Sequence, residues 1–259
     1  MMALLQAMIA MRWLSVWRRN ARVWSKLAGP AMLGNIGEPL LYLLALGFGL
    51  GALVGDIDGM DYIAFLASGF VCASVMNTAS FEGIYSAYTR MAVQETWTSM
   101  LYTPLSVADI LIGEVAWAAS KALLSAFFVL VVAALLGAVE GWLALWVLPV
   151  ALLTGLSFAA MALVITAISR SYDFFLYYFT LLLTPMLLFS GVFFPLDDMP
   201  ALVVQGAALL PLWHAIELVR PLMAGQVPTL IPLHLAVLGL YCLLPLWLAK
   251  TLVQRRLHR

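Results

Sequence analysis

The chain has 259 residues, 64% of them hydrophobic and 10% charged, with 13 Lys and Arg balanced by 13 Asp and Glu. A soluble domain carries about 25% charged residues, and a soluble core of this size cannot hide so much apolar surface, so the composition calls for a bilayer as solvent. The zero net charge argues against a nucleic-acid partner, because neither sign dominates.

Residues 1–26 come first. The basic residues follow the apolar start instead of preceding it, the wrong order for a signal peptide. On a helical wheel, Arg12, Arg18, Arg19, Arg22 and Lys26 fall on one side, and Trp13, Val16, Trp17, Val23, Trp24 and Leu27 on the other. A basic face opposite an aromatic one describes an amphipathic helix in the plane of the lipid headgroups, either as an anchor alone or also holding a cytoplasmic partner.

A spanning helix needs about 20 largely uncharged residues. Six stretches qualify, at about 28–53, 62–86, 106–137, 142–169, 174–195 and 226–250. A seventh uncharged stretch lies within 199–222, and charge topology decides its fate. With six crossings and a cytoplasmic N-terminus, the inner side receives Arg12, Arg18, Arg19, Arg22, Lys26, Arg90, Arg170, Lys250, Arg255, Arg256 and Arg259. The outer side receives Asp56, Asp58, Asp61, Glu140, Asp197, Asp198 and Glu217, with Arg220 its only basic residue. This is the positive-inside asymmetry, and a seventh crossing would put the basic tail outside. The stretch is therefore expected to dip into the outer leaflet and return. Pro200, Pro211 and Pro221 break it, and such backbone survives only when buried in protein or lining a wet cavity.

Between the second and third spans, at about 89–103, Met91, Glu95, Thr98 and Tyr102 stand at helical spacing, and Pro104 and Ser106 mark a break. A short amphipathic helix in an inner loop suits docking on a soluble partner, or simply lies in the interface.

Charges inside the membrane are costly. Glu38, Glu82, Glu114 and Lys121 qualify, the last two sharing one face of the third span with Trp117 between them. They read either as a polar lining for a passing headgroup or as interhelical glue near the inner ends. The fifth span is dense in rings, Phe174, Phe175, Tyr177, Tyr178 and Phe179, which either stack on sugars or pack against neighbouring helices. Tyr177 or Tyr178, with Glu82 or Lys121, is the expected contact for a polar head. The segment around Pro211 and His214 is the expected outer gate.

Several chemistries have no motif here. There is no G-x-x-x-x-G-K-[ST] cradle for ATP, no H-E-x-x-H, no C-x-x-C and no G-x-S-x-G. His214, His234 and His258 lie in different elements and read as lone polar side chains, not metal ligands. Cys72 and Cys242 sit in apolar runs and read as small hydrophobes without a disulfide.

The ordered set of short motifs resembles the ABC-2 family of ABC-transporter permeases, most closely its nodulation-factor (lipooligosaccharide) exporter permeases. The set includes GFGLG at 47–51, DYIAFLA at 61–67, Thr96 with Trp97, MLYT at 100–103, Gly113, Glu114, Trp117 and Lys121. It continues with SYD at 171–173, TPM at 184–186, Ser190 with Gly191, Phe194 with Pro195, Met199 with Pro200, LPL at 210–212, His214, and Arg220 with Pro221.

The resemblance implies an all-α fold of six spans (27–259) with an N-terminal interfacial helix, a cytoplasmic coupling helix and an extracytoplasmic re-entrant helix pair. It implies that Glu95, Thr96, Trp97, Met100 and Leu101 couple to an ATPase. It also implies a homodimer in the bacterial inner membrane, both termini cytoplasmic, joined to two copies of a separate ATP-binding subunit. That partner would bind ATP and Mg, and this chain would be no enzyme. The implied cargo is a lipooligosaccharide or similar amphiphilic glycolipid. The coupling segment departs from the family, with QETW at 94–97 where E-x-G-T is usual. Against this stand an ion-coupled secondary transporter, for which no internal repeat is visible, an exporter of another drug or lipid, and an intramembrane enzyme, for which no nucleophile and base appear.

Overall fold

Apolar length decides the architecture. In a computed structural model, residues 2–26, 28–29, 40–57, 59–196 and 199–257 are described, and every regular element among them is a helix. Four of these helices are long and apolar enough to cross a membrane: α4 (Tyr62–Val93), α6 (Val107–Leu135), α7 (Trp142–Ile168) and α11 (Ile231–Leu257). At about 1.5 Å per residue each reaches roughly 40 Å, more than the hydrocarbon layer requires.

The other elements are shorter. Helices α1 (Met2–Ala10) and α2 (Trp13–Ser25) stand where one interfacial helix was expected. They are separated at Met11, whose φ of 52° no helix accommodates. Two apolar helices, α3 (Leu40–Gly51) and α8 (Phe174–Phe189), occupy the places of the first and fifth expected spans. Residues 30–39, with Glu38, lie outside the described residues, as do Asp58, Asp197, Asp198, His258 and Arg259. Between α4 and α6 sits α5 (Thr96–Leu101). The pair α9 (Ala201–Ala207) and α10 (Pro211–Met223) bends by 88° at its break.

Local chemistry sets several boundaries. Asp61 caps α4 through the Ile63 N–H. Ser106 and Asp109 form a reciprocal capping box at the start of α6. Pro211 takes the first turn of α10, where its missing N–H costs nothing.

Helix α7 is the central strut, in contact with α4, α6, α10 and α11. Small residues bring the backbones close: a Cβ on Gly83 would stand 2.6 Å from the Ala162 Cβ. Hydroxyls then bridge the helices, with Ser157 Oγ donating to the Leu238 carbonyl at 2.8 Å and Thr166 Oγ1 to that of Gly83 at 2.7 Å. Cys72 and Cys242 are buried free thiols.

Arg12, Arg170 and Arg256 lie at one end of the bundle. Arg256 donates to the carbonyls of Thr166, Ala167 and Ser169 at the end of α7. Tyr88 donates to the Arg170 carbonyl, and Arg12 to that of Pro104. The bent pair lies at the other end. There the Glu140 N–H bonds the Met223 carbonyl and Arg220 Nη2 the Gly191 carbonyl.

Candidate functional site: a buried ion network and an aromatic cleft

The last part of α4 departs from α geometry. Glu82–Ser86 and Thr89–Val93 form π-helical turns, a form often found at functional positions. In an unbroken α-helix, residues eight apart lie about 80° apart around the axis. The wider turns change that phase, and Arg90 Nη2 reaches Glu82 Oε1 at 2.9 Å.

The network grows from this pair. Glu82 is buried, and its Oε1 also accepts from Trp117 Nε1 at 3.0 Å, while its Oε2 accepts from Lys121 Nζ at 2.7 Å and Ser86 Oγ at 3.0 Å. Glu114 is the hub. It accepts from Arg90 Nε at 3.0 Å and Nη2 at 2.5 Å, from Trp97 Nε1 at 3.1 Å and from Asn20 Nδ2 at 3.1 Å. One carboxylate thus ties α2, α4 and α5 to α6. The two acids and two bases cancel in charge, which is what lets such groups stay buried.

Helix α2 is held on α6 by more than this. Gly113 leaves room for it: a Cβ there would stand 2.6 Å from the Val16 Cβ and 2.8 Å from the Trp13 carbonyl oxygen. Trp17 and Trp24 both meet the Trp117 ring edge-on, and Trp17 Nε1 donates to Ser120 Oγ at 3.0 Å. The sequence reading put this aromatic face in lipid, but its inner residues cover α6 instead. Burial is also what chiefly lowers the pKa of Arg19 from its ordinary value, aided by the Arg90 guanidinium and opposed by Glu114.

Beside the network opens a cleft of about 380 Å³ lined by Arg19, Asn20, Val23, Trp24, Glu82, Tyr85, Ser86, Thr89, Arg90, Gln94, Trp117, Lys121 and Tyr172. Tyr85 and Tyr172 lie nearly parallel with ring centres 6.2 Å apart, and the Tyr172 hydroxyl bonds Thr89 Oγ1 at 2.7 Å. Aromatic faces next to fixed charges and hydroxyls are suited to a polar, ring-shaped ligand.

The structure brings some expected residues together and separates others. Glu114, Trp117 and Lys121 share one side of α6 as their spacing foretold, and Glu82 joins them from α4, while Glu38 lies outside the described residues. Tyr177 and Tyr178 are not in the cleft: Tyr177 is 60% exposed elsewhere and Tyr178 is buried. Tyr85 and Tyr172 take their place. Trp97, expected in a partner's groove, is 1% exposed and turned inward onto Glu114. On α5 the residues that face outward are Glu95, at its start, and Ser99. Tyr102, just beyond, is 88% exposed, and Thr96, Met100 and Leu101 are half-buried.

Arg90 and Asn20 were missed. Arg90 counted as a loop charge, and Asn20 lies between two arginines. A usable signal did exist, since two carboxylates in apolar runs require more cations than Lys121 alone.

At the opposite end, Pro211 opens α10 and His214 is not alone. His214 and His234 face each other with their Nδ1 atoms 2.8 Å apart, and His214 Nε2 bonds the Ala208 carbonyl at 2.9 Å. The reading of isolated histidines is thereby corrected: the 88° bend folds α10 against α11. Nearby, the Arg220 guanidinium lies 3.7 Å over the Phe65 ring and donates to Ser68 Oγ at 3.1 Å. Among the described residues no three His, Cys, Asp or Glu side chains group as metal ligands.

Known proteins were then compared. A sequence model of the ABC-2 type transporter family matches residues 3–224. Nodulation protein J of Rhizobium leguminosarum bv. viciae is 49% identical over 250 residues, 96% of either chain. Nodulation protein J of Rhizobium meliloti (strain 1021) is 45% identical over 245 residues, 95% of this chain and 94% of that one. The inner membrane transport permease YadH of Escherichia coli (strain K12) is 22% identical over 214 residues, 80% of this chain and 77% of that one.

Proposed function

The chain belongs to the ABC-2 type transporter family, and from that premise we propose that it is the permease subunit of an ATP-driven exporter of an amphiphilic glycolipid, a lipooligosaccharide in the first instance. The chain is a multi-pass membrane protein and carries no P-loop of its own. In this reading two copies form the pore, and two copies of a separate subunit bind ATP and Mg. The chain sits in a bacterial inner membrane with its basic end, and both termini, in the cytoplasm. Six crossings are counted, with α3 and α8 as the shorter two, and α9 with α10 forming an outer re-entrant pair closed by Pro211 and His214.

The observation that carries the proposal is Glu114. It hydrogen-bonds Trp97 on α5 and Arg90 on α4, and Arg90 in turn bonds Glu82 in the wall of the aromatic cleft. A push on α5 from a partner that hydrolyses ATP therefore reaches Glu82 through three successive hydrogen bonds. In the cleft, Tyr85 and Tyr172 offer rings to sugars, Lys121 offers donors, and Ser86 Oγ, which gives its proton to Glu82, offers an acceptor. The ring-bearing head enters there, while the acyl tail stays in lipid.

The test is cargo-stimulated ATP hydrolysis by the complex of this chain with its ATPase in vesicles. Tyr85→Ala with Tyr172→Ala should remove the stimulation by lipooligosaccharide, measured against that variant's own cargo-free rate. Full stimulation would place the pathway elsewhere. Export driven by an ion gradient without ATP would replace the proposal with a secondary transporter.

A further inference from the structure

On the other side of α2 lies a second cleft, of about 900 Å³, between that helix and the loop from α5 into α6. Arg12, Arg18, Arg19 and Arg22 line it, with Met100 and Pro104 opposite, and no carboxylate is among its lining residues. Arg12 Nη1 donates to the Pro104 carbonyl at 3.0 Å, two residues before Ser106 caps α6. That bond ties helix to loop across one side of the cleft. Arg18 and Arg22 are exposed and one helical turn apart, so both guanidinium groups are free to face one ligand.

The neighbouring surface is apolar. Helix α1 buries Leu4 and Ala7 but exposes Met2, Leu5, Met8 and Ile9, and the exposed Met11 leads from that row into the cleft. A concave set of arginines is the arrangement that grips phosphate, whose oxygens match the planar fork of donors. An apolar row continuous with it suits acyl chains and has no use for a soluble anion.

We propose that this cleft holds the phosphate headgroup of an anionic phospholipid, its acyl chains lying along the exposed side of α1. The bound lipid braces α2 against the loop that follows α5. The proposal rests on the chain being a membrane protein and not on the identity of its cargo. It differs from general attraction of a basic surface to anionic lipid because it requires these arginines and no others.

The test uses the full chain in vesicles of phosphatidylcholine titrated with phosphatidylglycerol, with bound lipid counted by native mass spectrometry. Arg18→Ala with Arg22→Ala should weaken phosphatidylglycerol binding roughly 30-fold, at about 1 kcal/mol for each charge near the surface. Lys26→Ala with Arg255→Ala removes two exposed charges from the same end but outside the cleft, and should change binding by less than about threefold, well short of two such charges. Ile9→Ser should weaken binding with all four arginines in place. Unchanged melting in pure phosphatidylcholine would show that the arginine variant is folded. Equal losses in the two double variants, no loss in the first, or displacement of the lipid by soluble glycerol phosphate would each overturn the proposal.

Discussion

Replacing Glu114 by Gln tests the hub of the ion network directly. The side chain is buried and accepts four hydrogen bonds, two from Arg90 and one each from Trp97 and Asn20. Gln has nearly the same volume, so no cavity forms and the loss is electrostatic. The four charges of Glu82, Glu114, Arg90 and Lys121 sum to zero; the substitution leaves an excess of +1. The Arg90 and Lys121 side chains are only 12% and 23% exposed, so water screens that excess weakly. Breaking a buried pair on one side costs about 3–5 kcal/mol, and the partial access of Lys121 to water puts this case near 3 kcal/mol. Arg90→Gln should cost a similar amount. The double variant removes one charge of each sign and should cost well short of the sum, with a coupling of about 2 kcal/mol. Reversible unfolding in mixed detergent–lipid micelles, titrated with sodium dodecyl sulfate, measures all three. A loss below about 1 kcal/mol for Glu114→Gln, or strict additivity of the pair, would refute the network, since contacting buried charges cannot behave as independent sites.

Glu95 sits at the start of α5 with φ of 50°, in the left-handed region. Glu95→Gly should therefore stabilise the chain by about 1 kcal/mol, read as a rise in melting temperature; a fall would mean that the side chain matters more than the backbone. Gly113→Ala places a methyl against Val16 and the Trp13 carbonyl. It should cost about 1–3 kcal/mol and raise protease cleavage within α2, and unchanged cleavage would show that α2 does not rest on α6. A cysteine at Gln254 should react with an impermeant reagent only after the cells are opened; labelling of intact cells would reverse the proposed sidedness.

What could be read from the sequence divides along a physical line. Helices α4, α6, α7 and α11 were legible because twenty uncharged residues have one stable place, and length alone finds it. The first and fifth expected spans were found by the same rule, yet α8 is 16 residues and α3 is 12 within the described chain. Composition registers apolarity but not where regular hydrogen bonding starts. The re-entrant reading of 199–222 drew on proline positions, and the 88° bend falls at Pro211 as a helix start requires.

For the site, a carboxylate in an apolar run announces that a cation must be near, which is why Glu82, Glu114 and Lys121 stood out as intramembrane charges. It does not say which cation. Arg90 reaches Glu82 and Glu114 only because π turns rotate it there, and no periodicity at 3.6 residues reveals that. The same limit explains Trp97. In a helix of six residues a buried face and a docking face have the same pattern, and only the position of Glu114 on another helix decides that the indole turns inward. The Q-E-T-W departure takes on a meaning through the backbone. Glu95 opens α5 at the unspecified position of that pattern, and its left-handed φ of 50° is the conformation that Gly adopts without cost. A residue with a side chain thus holds a turn that would suit Gly better. The side chain at 95 is therefore expected to act in whatever surface α5 presents, which makes Glu95→Gly informative for partner binding as well as for stability.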